Sequence, residues 1–215
     1  LNLKGGVGRT TLAVNLAACF HRAGARVLLV DSDPQGSATA WFAARQIPPL
    51  FEMIALAEPR LHKDIPARKA EFDIIVIDGA ARRDDLARAA LLASDVTLIP
   101  IQPSPFDLWA AQPMVTLVRE GRGFNRDLRA AFLVNRRIGN TAIGRDFVES
   151  LGGYGEFPVL STPVMQRIAY VETAAVGLSV IEGAPRSEAS REIGLLAEQV
   201  LLFARAAAPV RELAA

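Results

Sequence analysis

The stretch Leu3-Lys4-Gly5-Gly6-Val7-Gly8-Arg9-Thr10-Thr11 decides how this 215-residue chain reads. Three glycines in a tight turn, running into two hydroxyl residues that open an apolar-periodic segment, gather backbone N–H groups and a helix N-terminus around an anion. This is a phosphate loop. The general pattern is glycine, four residues, then glycine-lysine-serine/threonine, and it is missed twice, with Leu3 at the first glycine and Arg9 at the lysine. Lys4 supplies a lysine at the other end of the turn.

Working outward, residues 10–23 show helical spacing of apolar positions and stop at Gly24. Ala25-Arg26-Val27-Leu28-Leu29-Val30-Asp31 is a nearly continuous aliphatic run, the pattern of a parallel strand buried on both faces. Phe72-Asp73-Ile74-Ile75-Val76-Ile77-Asp78 repeats it, again ending in aspartate, and residues 96–101 and 128–135 read as further strands. An edge strand is expected over 50–55. Helices are expected over 37–45, 59–70, 86–93, 106–119, 141–151, 166–175 and 188–206, with a glycine-rich turn over 152–158 leading into a short strand. Strands alternating with helices across short loops predict one α/β domain over 1–215, a P-loop NTPase fold with a mostly parallel twisted sheet and helices on both faces. A phosphate loop follows a buried strand, yet only Leu1 to Leu3 precede Lys4, so the first strand is expected to be truncated.

Composition narrows the function. With 24 Lys and Arg against 23 Asp and Glu, the chain is not a uniformly basic nucleic-acid binder, and any basic surface is local. The single cysteine, Cys19, sits in an apolar helical run, which excludes a disulfide and a cysteine-ligated cluster. His21 and His62 lack ligand-like spacing to other donors, which argues against a dedicated zinc site. No apolar run reaches the roughly 20 residues of a membrane span, and the start is not signal-like. These features predict a cytoplasmic protein.

Three carboxylates at strand ends gather beside the phosphate loop if their strands are neighbours. The Thr10 hydroxyl, directly after Arg9, suits a Mg²⁺ ligand, and Asp78 ends an aliphatic strand in the Walker-B manner and would hold the ion through water. Asp31 could assist. Asp33, two residues on in a turn, suits the orientation of a water, or the acceptance of its proton, at a γ-phosphate. Arg9 brings a planar guanidinium where the general pattern has a compact ammonium, so nucleotide binding should weaken and turnover suffer more.

Lys4 to Thr11, Val30-Asp31-Ser32-Asp33-Pro34-Gln35, Ile77-Asp78-Gly79-Ala80, residues 99–107 and residues 166–171 together resemble the ParA/MinD family of deviant Walker-A ATPases. The short ParF-like ParA partition ATPases are the nearest in pattern. The resemblance implies an ATP-switched homodimer with nucleotide at the interface, non-specific DNA binding, and a ParB-like or adaptor partner that stimulates hydrolysis. It implies phosphate contacts from Gly5, Gly6, Val7, Gly8, Arg9 and Thr10, binding ATP or ADP with Mg²⁺. By the same resemblance Lys4 reaches the partner subunit's ATP, Thr11 contacts the α-phosphate and Asn135 lies near the adenine. Arg167, Arg186 and Arg191 are the DNA-contact candidates. A MinD-like membrane ATPase would need a stronger amphipathic tail than residues 210–215 offer. A nucleotide-binding scaffold without turnover is the other reading, and it rests on Arg9.

Overall fold

The computed structural model describes residues 1–81, 83–139 and 142–206. Helix α1 (Arg9–Arg22) leaves the glycine turn through Gly8, whose φ of 88° is left-handed and would cost a residue with a side chain about 1–2 kcal/mol. Among the described residues five strands in parallel pairings follow: β1 (Val27–Asp31), β2 (Glu52–Ala55), β3 (Ile74–Asp78), β4 (Val96–Ile101) and β5 (Arg129–Val134). They pair as β2-β1-β3 and as β4-β5.

Residues 1–3 lie between the two groups. The Leu1 amino group donates to the Leu98 carbonyl at 2.6 Å, and Asn2 Nδ2 donates to the Pro100 carbonyl at 2.8 Å. On the other side, a Cβ built on Gly79 would lie 2.2 Å from Leu1 Cδ1. The phosphate loop therefore emerges between β3 and β4. A cavity of about 480 Å³ separates these strands, lined by Val76 and Leu98 and by Leu12, Leu16 and Leu201.

Successive residues of a strand point to opposite faces, and here both faces are covered. In β1, Leu29 packs with α1 and α9 (Glu188–Arg205), while Leu28 and Val30 pack with Leu61 and Ile65 of α3 (Leu61–Arg68). In β5, Ala131 and Leu133 join the first side. Ala130, Phe132 and Val134 pack with α4 (Asp84–Ala93) and α5 (Pro105–Phe124). Such burial on both faces is why the strands read as unbroken aliphatic runs.

Three segments differ from expectation. Helix α5 carries on through Pro113 to Phe124, five residues past Arg119. Its Ala111, Met114, Val115, Leu117 and Val118 are buried, and that apolar area offsets the hydrogen bond the proline removes. Residues 152–158 contain a single 3₁₀ turn (Gly152–Tyr154), and in place of a strand there are isolated bridges, Phe132 to Val159 and Arg137 to Met165. Pro158 has no N–H to extend the ladder on one side, and on the other Thr162 N donates to Gln199 Oε1 at 3.1 Å instead. The short helix α8 (Val180–Gly183) went unpredicted, although Ser179 and Glu182 form a capping box around its start. Helices α6 (Ala142–Leu151) and α7 (Ile168–Ala175) follow expectation, whereas Thr141 and the tail residues 210–215 fall outside the described residues. No helix among the described residues is long and apolar enough to cross a membrane.

Helix α8 braces the ligand end from behind. Asn15 of α1 accepts from Val180 N at 2.8 Å and donates to the Thr11 carbonyl at 2.7 Å. Glu182 grips Arg45, just after α2 (Ser37–Ala43), at 2.7 and 3.2 Å, and accepts from Ser179 N at 3.0 Å. Arg45 is 3% exposed, so removing its counter-ion leaves a charge stranded in a dry site. Glu182→Ala is expected to lower unfolding free energy by about 3 kcal/mol, read as a shifted urea midpoint.

Candidate functional site

The glycine turn places the first-turn amides of α1, which have no intrahelical acceptor, at the carboxyl end of the sheet. Its shape is held from three sides. Asn135 Nδ2, just past β5, donates to the Val7 carbonyl at 2.7 Å, and Gln102 Nε2 donates to the Gly6 carbonyl at 3.1 Å. Asn2 Oδ1 accepts from Lys4 N at 2.9 Å. Asn2 and Gln102 were not site candidates; nothing local marks them, since their roles arise only when the ends of β4 and the loop meet.

Four charged groups occupy the mouth. Lys4 Nζ pairs with Asp107 Oδ2 at 2.7 Å, across from the first turn of α5. Asp107 is buried, and its other oxygen has no hydrogen-bond partner. On either side of it Phe106 and Trp109 stand 71% and 69% exposed, packed edge to face with centroids 5.5 Å apart. Arg9 turns inward beneath the loop: Nη1 donates to the Asn2 and Lys4 carbonyls at 2.6 and 2.7 Å, and Nη2 lies 3.5 Å from Asp33 Oδ2. Asp33 also accepts from Ala81 N at 3.3 Å and from Gln35 N at 3.0 Å.

Asp31 and Asp78 face each other in register at the ends of β1 and β3, as the sequence predicted, but their surroundings differ. Asp31 is already occupied: Thr39 N and Oγ1 both donate to Oδ2 at 2.8 Å, and Asp33 N donates to Oδ1 at 3.2 Å. It holds the start of α2 in place. Asp78 is buried with neither oxygen in a hydrogen bond, although Thr10 approaches it. Burial pushes its carboxyl up to about 6; the Thr10 hydroxyl opposes the rise, Asp31 adds to it and Arg9 opposes it. An orphaned buried carboxylate beside a hydroxyl fits a divalent cation.

Among the described residues no cluster of three or more His, Cys, Asp or Glu side chains could hold a metal unaided. A cation here would take the remaining oxygens from a bound phosphate and water, as Mg²⁺ commonly does. Thr10 and Asp78 are the pair that would receive it.

The domain model described as the CobQ/CobB/MinD/ParA nucleotide binding domain matches residues 1–180. The chain belongs to this family. Among its family relatives is the maintenance of carboxysome distribution protein A of Halothiobacillus neapolitanus, 32% identical, with 93% of this chain and 94% of the relative covered. The chromosome-partitioning ATPase Soj of Thermus thermophilus is 28% identical, with 93% of each chain covered. Among solved structures of the family, the septum site-determining protein MinD of Pyrococcus horikoshii, complexed with Mg-ADP, superposes with a TM-score of 0.74 at 19% identity, covering 98% of this chain and 97% of that one. The family fold is the P-loop α/β arrangement described above, and its glycine loop is a nucleotide-binding loop.

The raised Asp78 carboxyl makes two signs testable. Between the ordinary aspartate value of 3.8 and about 6, the folded chain holds a proton that the unfolded chain has lost. This group therefore stabilises the metal-free fold as pH falls from 7 toward 4. Asp78→Asn is expected to raise metal-free stability at pH 7.5 by about 1 kcal/mol and to remove that pH dependence. Melting curves in EDTA and in MgCl₂ with ADP check this, and the variant should lose the increment that Mg²⁺ adds.

Proposed function

We propose that the protein is an ATP-dependent positioning ATPase that works as a homodimer, binds DNA non-specifically and hydrolyses ATP when a partner protein stimulates it. The observation that carries this reading is Lys4. Its ammonium stands at the mouth of the loop on an ion pair with Asp107, not under the loop where a phosphate-contacting lysine sits. A cation so placed is available to a nucleotide held by a second copy, and the exposed Phe106 and Trp109 beside it supply apolar area for that copy to cover. The relatives, a carboxysome-distribution protein and a chromosome-partitioning ATPase, support positioning of cargo as the task.

Within each subunit the roles divide by position. The amides of Gly5 to Thr11 and the α1 N-terminus would hold the polyphosphate, and Thr10 and Asp78 would hold Mg²⁺ beside it. When bound, Mg²⁺ would supply charge neutralisation on the phosphates. Asp33, fixed by Arg9 and Ala81 N, orients the attacking water or takes its proton. For DNA, Arg186 is exposed and without an ion-pair partner among the described residues. Arg191 lies 3.9 Å from Glu188. Arg167, by contrast, is tied to Glu192 through Nε at 3.0 Å and through Nη2, so it is not the free cation the sequence suggested.

Lys4→Ala is expected to abolish ATP-dependent dimerisation while leaving ADP binding within about threefold, since charge-assisted contacts contribute roughly 1.5–3 kcal/mol and this one belongs to the partner's nucleotide. Light scattering with ATP and Mg²⁺ reads the mass. On unrelated duplexes the wild-type dimer should bind with a log–log salt slope of about −4 to −5. An unaltered chain that stays monomeric in ATP, or that binds one sequence selectively, would overturn the reading.

A second reading, a nucleotide-gated scaffold with little turnover, is favoured by Arg9. Its guanidinium is spent on the Asn2 and Lys4 carbonyls and is directed beneath the loop. Restoring lysine separates the two: Arg9→Lys should raise Mg²⁺-dependent hydrolysis, in the presence of DNA, by about 100-fold if the missing donor limits the rate. An unchanged rate would assign the function to binding alone.

A further inference from the structure

Lys4 is fixed at its root and loose at its tip. Its N–H donates to Asn2 Oδ1 at 2.9 Å and its carbonyl accepts from Arg9 Nη1 at 2.7 Å, so the backbone that carries it is pinned. The side chain is 39% exposed, and among the described residues its ammonium is held by one contact, from Nζ to Asp107 Oδ2 at 2.7 Å. A four-carbon stem on a fixed root has more than one place to put its charge.

Asp107 is the opposite case. It sits in the first turn of α5, 5% exposed, and its Oδ1 has no hydrogen-bond partner. Residues 108–118 carry no charged side chain, and among the described residues no other cation pairs with it. A lysine that leaves therefore strands a carboxylate in a dry place. Just before α5, Gln102 Nε2 ties the same stretch to the Gly6 carbonyl at 3.1 Å, which keeps the two ends of the ion pair in register. A pair made for stability alone buries both partners and fills both oxygens. This one buries the anion and leaves the cation at the surface.

We propose that the Lys4–Asp107 pair is an autoinhibitory latch: in the single chain Asp107 stands in for the phosphate of a second copy's nucleotide, and both latches open when the homodimer forms. This rests on the homodimer reading above. Only chains with an open latch are competent, so the apparent dissociation constant rises by the inverse of that fraction for each chain. With about a tenth of the chains open, two latches weaken the dimer about a hundredfold. ADP bound within one chain meets no such barrier.

Asp107→Asn keeps the shape and removes the charge, and the freed Lys4 turns to water, so the variant is expected to fold. Sedimentation in ATP and Mg²⁺ should show its dimer tighter by about a hundredfold, with Mg-ADP affinity within about twofold and no dimer without ATP. Lys4→Ala/Asp107→Asn should remain monomeric. Release of the lysine is read separately on the nucleotide-free chain: under limiting acetic anhydride, labelling of Lys4 relative to the exposed Lys63 should rise severalfold in Asp107→Asn.

Unchanged labelling would show that Asp107 does not hold Lys4 and overturn the proposal. Raised labelling with an unchanged or weaker dimer would overturn it too, as would a double variant that dimerises, since relief of repulsion at residue 107 then suffices. Asp107→Ser, smaller and also neutral, serves if the amide does not fold; loss of folding in both would make Asp107 a structural anchor and not a latch. If neither the unaltered chain nor Asp107→Asn dimerised in ATP while both bound Mg-ADP, the homodimer reading itself would fall, and this inference with it.

Discussion

Everything at the ligand end depends on how closely the glycine turn approaches β5. A Cβ at Gly8 would lie 2.4 Å from Asn135 Nδ2, nearer than non-bonded atoms can come. That approach lets Asn135 hold the Val7 carbonyl and keeps the amides of the turn directed toward the ligand. The same turn sets the first residue of α1, and α1 in turn packs on both β1 and α9 in the main core. A side chain at Gly8 would therefore disturb binding geometry and core packing together.

Charge at the mouth is arranged so that each group has a different degree of satisfaction. Arg9 has accepted its role as a brace, with three acceptors within reach. Lys4 and Asp107 balance one another at the rim. Asp78 remains uncompensated, and burial shows in its raised carboxyl. An uncompensated anion is costly alone and favourable once a cation arrives, so the fold stores at this position part of what ligand binding returns. Asp31, identical in type and directly in register, is spent on Thr39 instead, because α2 begins close enough to donate to it.

The fold was legible where burial on both faces imposed long aliphatic runs and where those runs ended in Asp31 and Asp78. The loop was legible through its glycines. What sequence could not show were partners brought together by crossovers: Asp107 lies 103 residues from Lys4 and meets it only because β4 runs beside residues 1–3. Arg9 stands where the general pattern has a phosphate-contacting lysine, yet its flexible side chain reaches back to the Asn2 and Lys4 carbonyls. The strand expected near residue 158 is reduced to isolated bridges: Pro158 has no N–H to extend the ladder backwards, which the sequence shows, whereas Thr162 N is taken by Gln199 Oε1, a partner the sequence does not show. Helix α8 was missed because four residues carry too little periodicity, even with a capping box.

The exposed aromatic pair beside Lys4 also gives the molecule a natural optical reporter. Of the two tryptophans, Trp41 is buried, stacked on Phe51 with its Nε1 donating to the Leu178 carbonyl, whereas Trp109 faces water next to Asp107. The two indoles therefore sit in different dielectric surroundings and emit at different wavelengths. Light from the red-shifted one comes from within two residues of the ion pair that marks the mouth of the site, so a change in what covers that face alters its colour and its access to quenchers, with no label attached.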